Sequence, residues 1–286
     1  MKKILLSAAF LIVVLVAILF YRATSVFENN QYQVTESLTP ITLNESAAIE
    51  RFSQALQIPT ISYDDSSKLD HSAFQAFHQH LQQSFPLVFE KTELTKFNDY
   101  SMVFHLKGQN PQLKPALFMG HMDVVPVDEQ TKDQWLQPPF GGKVVDGIIW
   151  GRGAIDDKVS VLALMESLEW YLKQNNQPQR DIYFAFGHDE ETGGEGAIAI
   201  AEYFAEKKTQ FEFILDEGGV ITDGIIPGTT QPIGLVGVAE KGFVNFRLTS
   251  YFNKVFIIIQ FKIRMRKIMQ HQILQLKFRI DKNLRF

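Results

Sequence analysis

The chain has 286 residues, which is enough for one large domain or two small ones. Its net charge of -4 and its 21% of charged residues give no indication of nucleic-acid binding. Because it contains no cysteine, the chain can form neither disulfide bonds nor thiolate metal sites. Any metal ligands therefore have to come from His, Asp and Glu.

The N-terminal segment combines two lysines with an almost uninterrupted apolar run over residues 4–20. This pattern is typical either of an uncleaved membrane anchor or of a cleaved signal peptide. Both alternatives predict that the catalytic part lies outside the cytoplasm, either anchored to a membrane or released into a periplasmic, lumenal or extracellular space. We expect residues 1–25 to form this segment and the polar residues 26–43 to form a linker.

Apolar residues recur at helical spacing after the linker. The pattern predicts one helix that begins near Glu45 and a second helix over residues 70–84. His71, His78 and His80 lie on or beside the second helix. They have no acidic partners at fixed offsets, so we interpret them as surface residues rather than as metal ligands.

Strands and helices then alternate along the chain. Strands are expected over residues 87–94, 101–106, 116–119, 182–186 and 211–215, with a hairpin around Asp146-Gly147. Helices are expected over residues 157–174 and 195–207. A β-α-β-α-β order is typical of an α/β fold with a largely parallel central sheet flanked by helices.

The stretch L-F-M-G-H-M-D, residues 117–123, combines an apolar strand with two polar groups. Gly120 is expected to end the strand and to let the backbone turn. His121 and Asp123 follow it, and residues i and i+2 of an extended backbone point to the same side. The imidazole can therefore bind a metal through one nitrogen while the carboxylate orients the ring through the other.

Three further strand ends carry acidic residues: G-R-G-A-I-D-D-K at 151–158, G-H-D-E-E-T-G-G at 187–194 and L-D-E-G-G at 215–219. Taken singly, Asp156-Asp157 also fits a helix N-cap, and the acidic loop also fits a solvated surface. Together, four strand ends with carboxylates would meet on one rim and repel one another, and divalent cations offset that repulsion. Oxygen and imidazole donors without cysteine suit zinc, or manganese or cobalt.

The motifs G-H-M-D-V-V-P, W-G-R-G-A-I-D-D-K, D-E-E-T-G-G and L-D-E-G-G, in this order and at these separations, resemble those of the M20 family of metallopeptidases. They look closest to its carboxypeptidase S and N-acyl-amino-acid hydrolase branch, over residues 44–248. The resemblance implies a zinc-exopeptidase-like α/β domain with two zinc ions in a complete active site. The reaction it implies is hydrolysis of an amide bond next to a free carboxylate, in a small peptide or an N-acyl amino acid.

The resemblance also implies roles for individual residues. The expected zinc ligands are His121, Asp156 and Asp216 for the first ion, and the bridging Asp156 with Glu191 for the second. Asp123 is expected to orient His121, and Glu190 to act as the general base that accepts a proton from water. The residues alone do not distinguish ligand from base in the Glu190-Glu191 pair, and this assignment comes from the family.

The family pattern ends near residue 249. Residues 251–286 contain no Gly, Pro, Ala, Ser or Thr and carry nine Lys or Arg against one acid. We expect a catalytic portion over 44–249 and an aberrant basic tail over 250–286, either an out-of-frame sequence or a basic amphipathic helix. The inserted second domain, the C-terminal part of the catalytic domain and the last His ligand of the family are then expected to be lacking.

Three functions are compatible with these motifs. The first is a zinc-dependent carboxypeptidase-like hydrolase, impaired by truncation and holding one tightly bound zinc ion. The second is an aminoacylase or dipeptidase on the same scaffold. The third is a non-catalytic metal-binding fragment.

Overall fold

The computed structural model describes residues 2–26, 42–226, 228, 230–237, 242–252 and 255–265. Most of the predicted linker and residues 266–286 of the predicted tail lie outside the described residues. The chain divides into two compact units, Met1–Asn44 and Glu45–Phe286. In the first unit, residues Lys2–Val26 form helix α1. Among the described residues, no helix has both the length and the apolar character needed to cross a membrane.

Helices and strands alternate through the second unit. Its helices are α2 (Glu45–Leu56), α3 (His71–Ser84), α4 (Pro86–Lys91), α5 (Lys158–Lys173) and α6 (Glu195–Glu206). Its first strands are β1 (Glu93–Phe97), β2 (Ser101–Leu106), β3 (Ala116–His121), β4 (Lys143–Val145), β5 (Ile148–Trp150) and β6 (Ile182–Gly187). They are followed by β7 (Phe213–Leu215), β8 (Val220–Thr222), β9 (Ile233–Leu235), β10 (Gly242–Phe252) and β11 (Val255–Met265). The α/β class is as predicted.

The central sheet has the strand order β1-β2-β6-β3-β7 and is mixed. The β1/β2 and β2/β6 pairs are antiparallel, whereas the β6/β3 and β3/β7 pairs are parallel. The prediction of a largely parallel sheet was therefore wrong. Strands β1 and β2 are joined by a tight turn with Asn98 and Asp99 at positive φ. So short a connection can only join antiparallel strands.

The sheet separates two hydrophobic cores. On one face, Phe184 and Phe186 of β6 pack with residues of α2, α3, α4 and α5. On the other face, Tyr183 and Ala185 of the same strand pack with Phe204 of α6. Successive side chains of a strand point to opposite faces, so β6 contributes to both cores and lies between two layers of helices.

The segment 86–91 is helix α4, although a strand was predicted over 87–94. Pro86 lies in the first turn, where its fixed φ and its missing N–H are tolerated. The buried carboxylate of Glu169 on α5 accepts the N–H groups of Leu87 and Val88, at 3.0 and 3.1 Å. These donors have no partner within the helix, and a negative charge at a helix N-terminus is favourable. A side chain distant in sequence therefore stabilises the helix.

The histidines of α3 are not all surface residues. His78 is buried, and its Nε2 lies 2.9 Å from the carbonyl oxygen of Tyr100. Burial, together with the charge of Lys96, lowers the pKa of His78 to about 4. His78 shares a helix face with the buried Phe74 and Leu81, and this position explains why the interpretation as a surface residue was wrong.

Two hairpins differ in how well they were predicted. The β4–β5 hairpin is confirmed, with Asp146 and Gly147 both at positive φ as a type I′ turn requires. Strands β10 and β11 pair antiparallel from Gly242↔Met265 to Phe252↔Val255. Residues 251–252 and 255–265, part of the predicted tail, are therefore strand rather than amphipathic helix, while residues 266–286 lie outside the described part of the chain.

We expect Glu169→Gln to lower the free energy of unfolding by about 1–2 kcal/mol, because the N–H groups of Leu87 and Val88 lose their charged acceptor. Urea unfolding followed by circular dichroism measures the change. Lys173→Ala is the matched control, since Lys173 is exposed and lies 3.6 Å from the same carboxylate. Equal effects of the two substitutions would show that the charge of Glu169 does not stabilise α4.

Candidate metal centre

The sheet topology brings the predicted motifs to one edge. Strands β3 and β6 are parallel neighbours, and His121 at the end of β3 is paired in register with Gly187 at the end of β6. The loop 188–194 therefore begins beside His121. Strand β7 is the other parallel neighbour of β3 and ends at Leu215, so the residues that follow it meet His121 from the opposite side.

The imidazole of His121 lies at the centre of a group of carboxylates. Its Nε2 is 2.9 Å from Asp156 Oδ1, 3.4 Å from Glu217 Oε1 and 3.9 Å from Glu190 Oε2. Within the described part of the chain, His121, Asp156 and Glu217 offer ligand atoms that all lie within 4.8 Å of one another. His121 is buried, whereas the side chain of Asp156 is 65% exposed. The group is therefore closed behind the imidazole and open to solvent in front.

Asp123 lies behind the imidazole and is fully buried. Its Oδ1 is 3.2 Å from His121 Nδ1, the ring nitrogen that faces away from the carboxylate group. The same carboxylate accepts the backbone N–H groups of Glu190 and Glu191, at 3.1 and 3.2 Å. Asp123 therefore fixes both the plane of the ring and the position of the loop that carries the two glutamates.

The position of the Asp157 side chain explains why residue 120, directly before His121, is a glycine. Gly120 lies inside β3 and does not end the strand, contrary to the prediction. A Cβ atom at Gly120 would lie 2.8 Å from Asp157 Oδ2, and this same oxygen accepts the backbone N–H of His121 at 3.2 Å. Asp157 occupies the N-cap position of α5, yet its side chain makes no cap hydrogen bond there. The glycine is required for this close approach rather than for a turn.

The charged side chains of the group shift one another's pKa values. Burial alone lowers the pKa of His121, but the hydrogen bonds with Asp123 and Glu217 outweigh it and raise the pKa to about 12. Burial and the negative charge of Glu217 raise the pKa of Asp157 to about 7. Without a metal, a protonated imidazole thus supplies the positive charge that the carboxylates require. A metal ion has to displace this proton, because only neutral imidazole can ligate.

The other predicted residues lie at the border of the group. Burial, and then the negative charge of Asp156, raise the pKa of Glu191, so these two carboxylates are close enough to repel each other. Asp216 is exposed, and its Oδ1 accepts the backbone N–H of Glu217 at 3.0 Å. Asp216 and Glu217 both line a cavity of about 200 Å³ beside His121.

Three residues of the site were not identified from the sequence. Glu217 occupies the place next to His121 for which Asp216 was expected, and both belong to the L-D-E-G-G motif. Asp157 was considered only as a helix cap. Ser62, whose Oγ lies 2.5 Å from Asp123 Oδ2, belongs to no motif that indicates a site.

An α/β sheet whose strand ends hold one imidazole and several carboxylates is the kind of scaffold on which metal-dependent peptidases are built. The chain belongs to peptidase family M20/M25/M40, whose sequence profile matches residues 117–280. The match continues beyond Ser250, into the segment that was predicted to be an aberrant tail. Within the family, the chain is similar to carboxypeptidase S-like proteins and to N-fatty-acyl-amino acid synthase/hydrolases.

Two relatives illustrate the similarity. The probable carboxypeptidase S-like 2 of Dictyostelium discoideum is 44% identical over 213 residues, which are 73% of this chain and 41% of the relative. The N-fatty-acyl-amino acid synthase/hydrolase PM20D1 of Xenopus tropicalis is 36% identical over 255 residues, 85% of this chain and 48% of the relative. The chain spans less than half the length of these relatives. Human carnosine dipeptidase 1, whose crystal structure is known, is 21% identical in sequence to this chain, with a TM-score of 0.46. The match covers 65% of this chain and 44% of the dipeptidase chain.

The two acids of the L-D-E-G-G motif can be separated by experiment. We expect Glu217→Gln to weaken zinc binding by about 10–100-fold or more, because its carboxylate belongs to the three-ligand group. Removal of a residue that only orients a metal ligand already costs a factor of this size. Asp216→Asn is the matched control and is expected to leave the affinity unchanged. Competition with a chromophoric chelator measures both dissociation constants. The opposite ranking would identify Asp216 as the ligand, as the family resemblance implies.

Proposed function

We propose that this chain is the N-terminal catalytic portion of a zinc-dependent hydrolase that cleaves an amide bond next to a free carboxylate. The observation that carries the proposal is the group formed by His121, Asp156 and Glu217, with Asp123 behind the imidazole and Glu190 3.9 Å in front of it. Membership of the M20/M25/M40 peptidases supports the reaction class.

The donor set fits zinc. One imidazole and two carboxylates within 4.8 Å of one another can supply three protein ligands, the number found in open catalytic zinc sites. The solvent-exposed side of the group leaves room for further ligands. When bound, zinc supplies Lewis-acid polarisation of a carbonyl group and lowers the pKa of water.

Glu190 is the residue best placed to move the proton. Its carboxylate lies in front of His121 and is 55% exposed, so that water and substrate can reach it. Burial raises its pKa, the positive charge of His121 acts in the opposite direction, and Glu217 and other nearby carboxylates add to the rise. A carboxylate with a raised pKa is a stronger base, and it can pass the proton to the leaving amine.

We further propose that Asp156 and Glu191 contribute to a second zinc position. The negative charge of Asp156 contributes to the raised pKa of Glu191, which supports this pairing, and the family resemblance implies the same two residues. Two protein ligands alone bind weakly, so we expect this chain to retain about one tightly bound zinc ion after dialysis and to have low turnover.

The proposed substrates are small peptides or N-acyl amino acids. The relatives include proteins named as carboxypeptidase S-like and as N-fatty-acyl-amino acid synthase/hydrolase. In this chain, the cavity beside His121 has apolar walls formed by Met119, Ala185, Ala197 and Ile200. These walls suit an apolar side chain or acyl group, and Glu190 and Glu217 of the metal centre line the same cavity.

A non-catalytic metal-binding fragment is the second candidate. It is favoured by the small ligand set of the described residues, in which one group of three side chains could hold a metal ion. Zinc binding without turnover on a panel of dipeptides and N-acyl amino acids would support it over the hydrolase.

We also propose that residues 1–25 direct the chain out of the cytoplasm, because two lysines precede the apolar run as in an export signal. N-terminal sequencing and fractionation of the product in cells test this. A mature product that begins near Val26 outside the cytoplasm supports export by a cleaved signal. An intact N-terminus in the cytosolic fraction contradicts it.

Glu190→Gln tests the role of the base. We expect this variant to keep the zinc content of the wild-type chain and to lose about 100-fold or more in turnover, because the amide cannot accept a proton. Metal analysis and an assay on N-acyl amino acids are made on the same preparation, with Glu217→Gln as the control that removes a carboxylate of the three-ligand group and is expected to lose zinc. Loss of zinc in Glu190→Gln would instead make Glu190 a ligand and exchange the roles of Glu190 and Glu191.

A further inference from the structure

We propose that Ser62 is a positioning residue of the metal centre, which holds the Asp123 carboxylate so that it can orient His121 and fix the Glu190-Glu191 loop at the same time. This inference rests on the proposed metal site and adds a residue outside the family motifs on which that site depends. Ser62 and Asp123 are both buried, with 1% and 0% of their surface exposed.

The backbone places Ser62 beside Asp123 with little freedom. Ile61 and Val124 form a parallel bridge, so the segment 60–62 runs alongside the residues that follow β3. The N–H of Ser62 donates to the carbonyl oxygen of Val124 at 3.2 Å. The N–H of Val124 donates to the carbonyl oxygen of Thr60 at 3.0 Å. The Thr60 hydroxyl donates to the carbonyl oxygen of Met122 at 2.6 Å. These contacts lie on both sides of Asp123 in the chain.

The Asp123 carboxylate has two polar contacts at each oxygen. Oδ1 lies 3.2 Å from His121 Nδ1 and accepts the N–H of Glu190 at 3.1 Å. Oδ2 accepts the hydroxyl of Ser62 at 2.5 Å and the N–H of Glu191 at 3.2 Å. An ionised carboxylate offers about four acceptor positions, so this buried anion is fully satisfied.

The Ser62 hydroxyl makes the shortest of these contacts. The other three partners belong to the metal centre itself, on the imidazole or on the loop of the two glutamates. Ser62 is the partner from outside the centre, held by the backbone of the segment 60–62. Without it, a buried charge loses one of its four hydrogen bonds, and the carboxylate can rotate away from His121 or from the loop.

The test compares Ser62→Ala with Thr60→Val in the full chain. Both substitutions remove a buried hydroxyl from the same segment, but only Ser62 contacts Asp123. We expect Ser62→Ala to weaken zinc binding about 10–100-fold, the loss that is typical when a residue that orients a metal ligand is removed. Thr60→Val is expected to weaken it clearly less, because the two backbone hydrogen bonds that hold the segment remain. In the metal-free protein, we also expect faster amide hydrogen exchange at Glu190 and Glu191 in Ser62→Ala alone. Ser62→Thr, which keeps a hydroxyl, is expected to restore both quantities.

Several results would overturn the proposal. Wild-type zinc affinity and exchange rates in Ser62→Ala would do so, and so would equal losses in Ser62→Ala and Thr60→Val, which indicate a role in folding alone. If Ser62→Ala does not fold, Ser62→Cys, a similar volume with a weak donor, carries the same comparison. If the wild-type chain binds no zinc, the proposed metal site fails, while hydrogen exchange in the metal-free protein still decides whether Ser62 positions the loop.

Discussion

The constraint on which the centre depends is the burial of a negative charge at Asp123. A buried carboxylate is stable only when its oxygens receive hydrogen bonds, and here all of its partners belong to or adjoin one site. Satisfying this charge therefore also sets the imidazole plane of His121 and the path of the loop that carries Glu190. The need to stabilise the charge of Asp123 therefore determines how residues from separate parts of the chain are arranged around it.

The mixed sheet makes this convergence possible. Strand β6 pairs antiparallel with β2 and parallel with β3, and β3 in turn pairs parallel with β7. The carboxyl ends of β3, β6 and β7 thus lie side by side, as in other α/β sheets whose ligands bind beyond the strand ends. His121 ends the central one of these three strands. Loops from both neighbours can reach it, and each brings at least one carboxylate.

Local patterns predicted much of this structure, because helical periodicity and turn residues act over a few positions. They identified α2, α3, α5 and α6, the β4–β5 hairpin and the strand before His121. Contacts between distant parts of the chain decided the rest. Examples are the Glu169 carboxylate that stabilises α4, the approach of Asp157 that requires Gly120, and the bond from Ser62 to Asp123. The position of Glu217 also depends on the path of the chain after β7, which no local pattern specifies.

Zinc X-ray absorption spectroscopy shows which side chains surround a bound metal ion. With one equivalent of zinc bound, we expect a coordination shell with one imidazole nitrogen and otherwise oxygen donors, at about 2.0–2.2 Å. His121→Ala should remove the imidazole contribution or abolish tight binding. A shell with two or more imidazoles, or an unchanged imidazole contribution in His121→Ala, would contradict the claim that this chain builds its metal centre on His121.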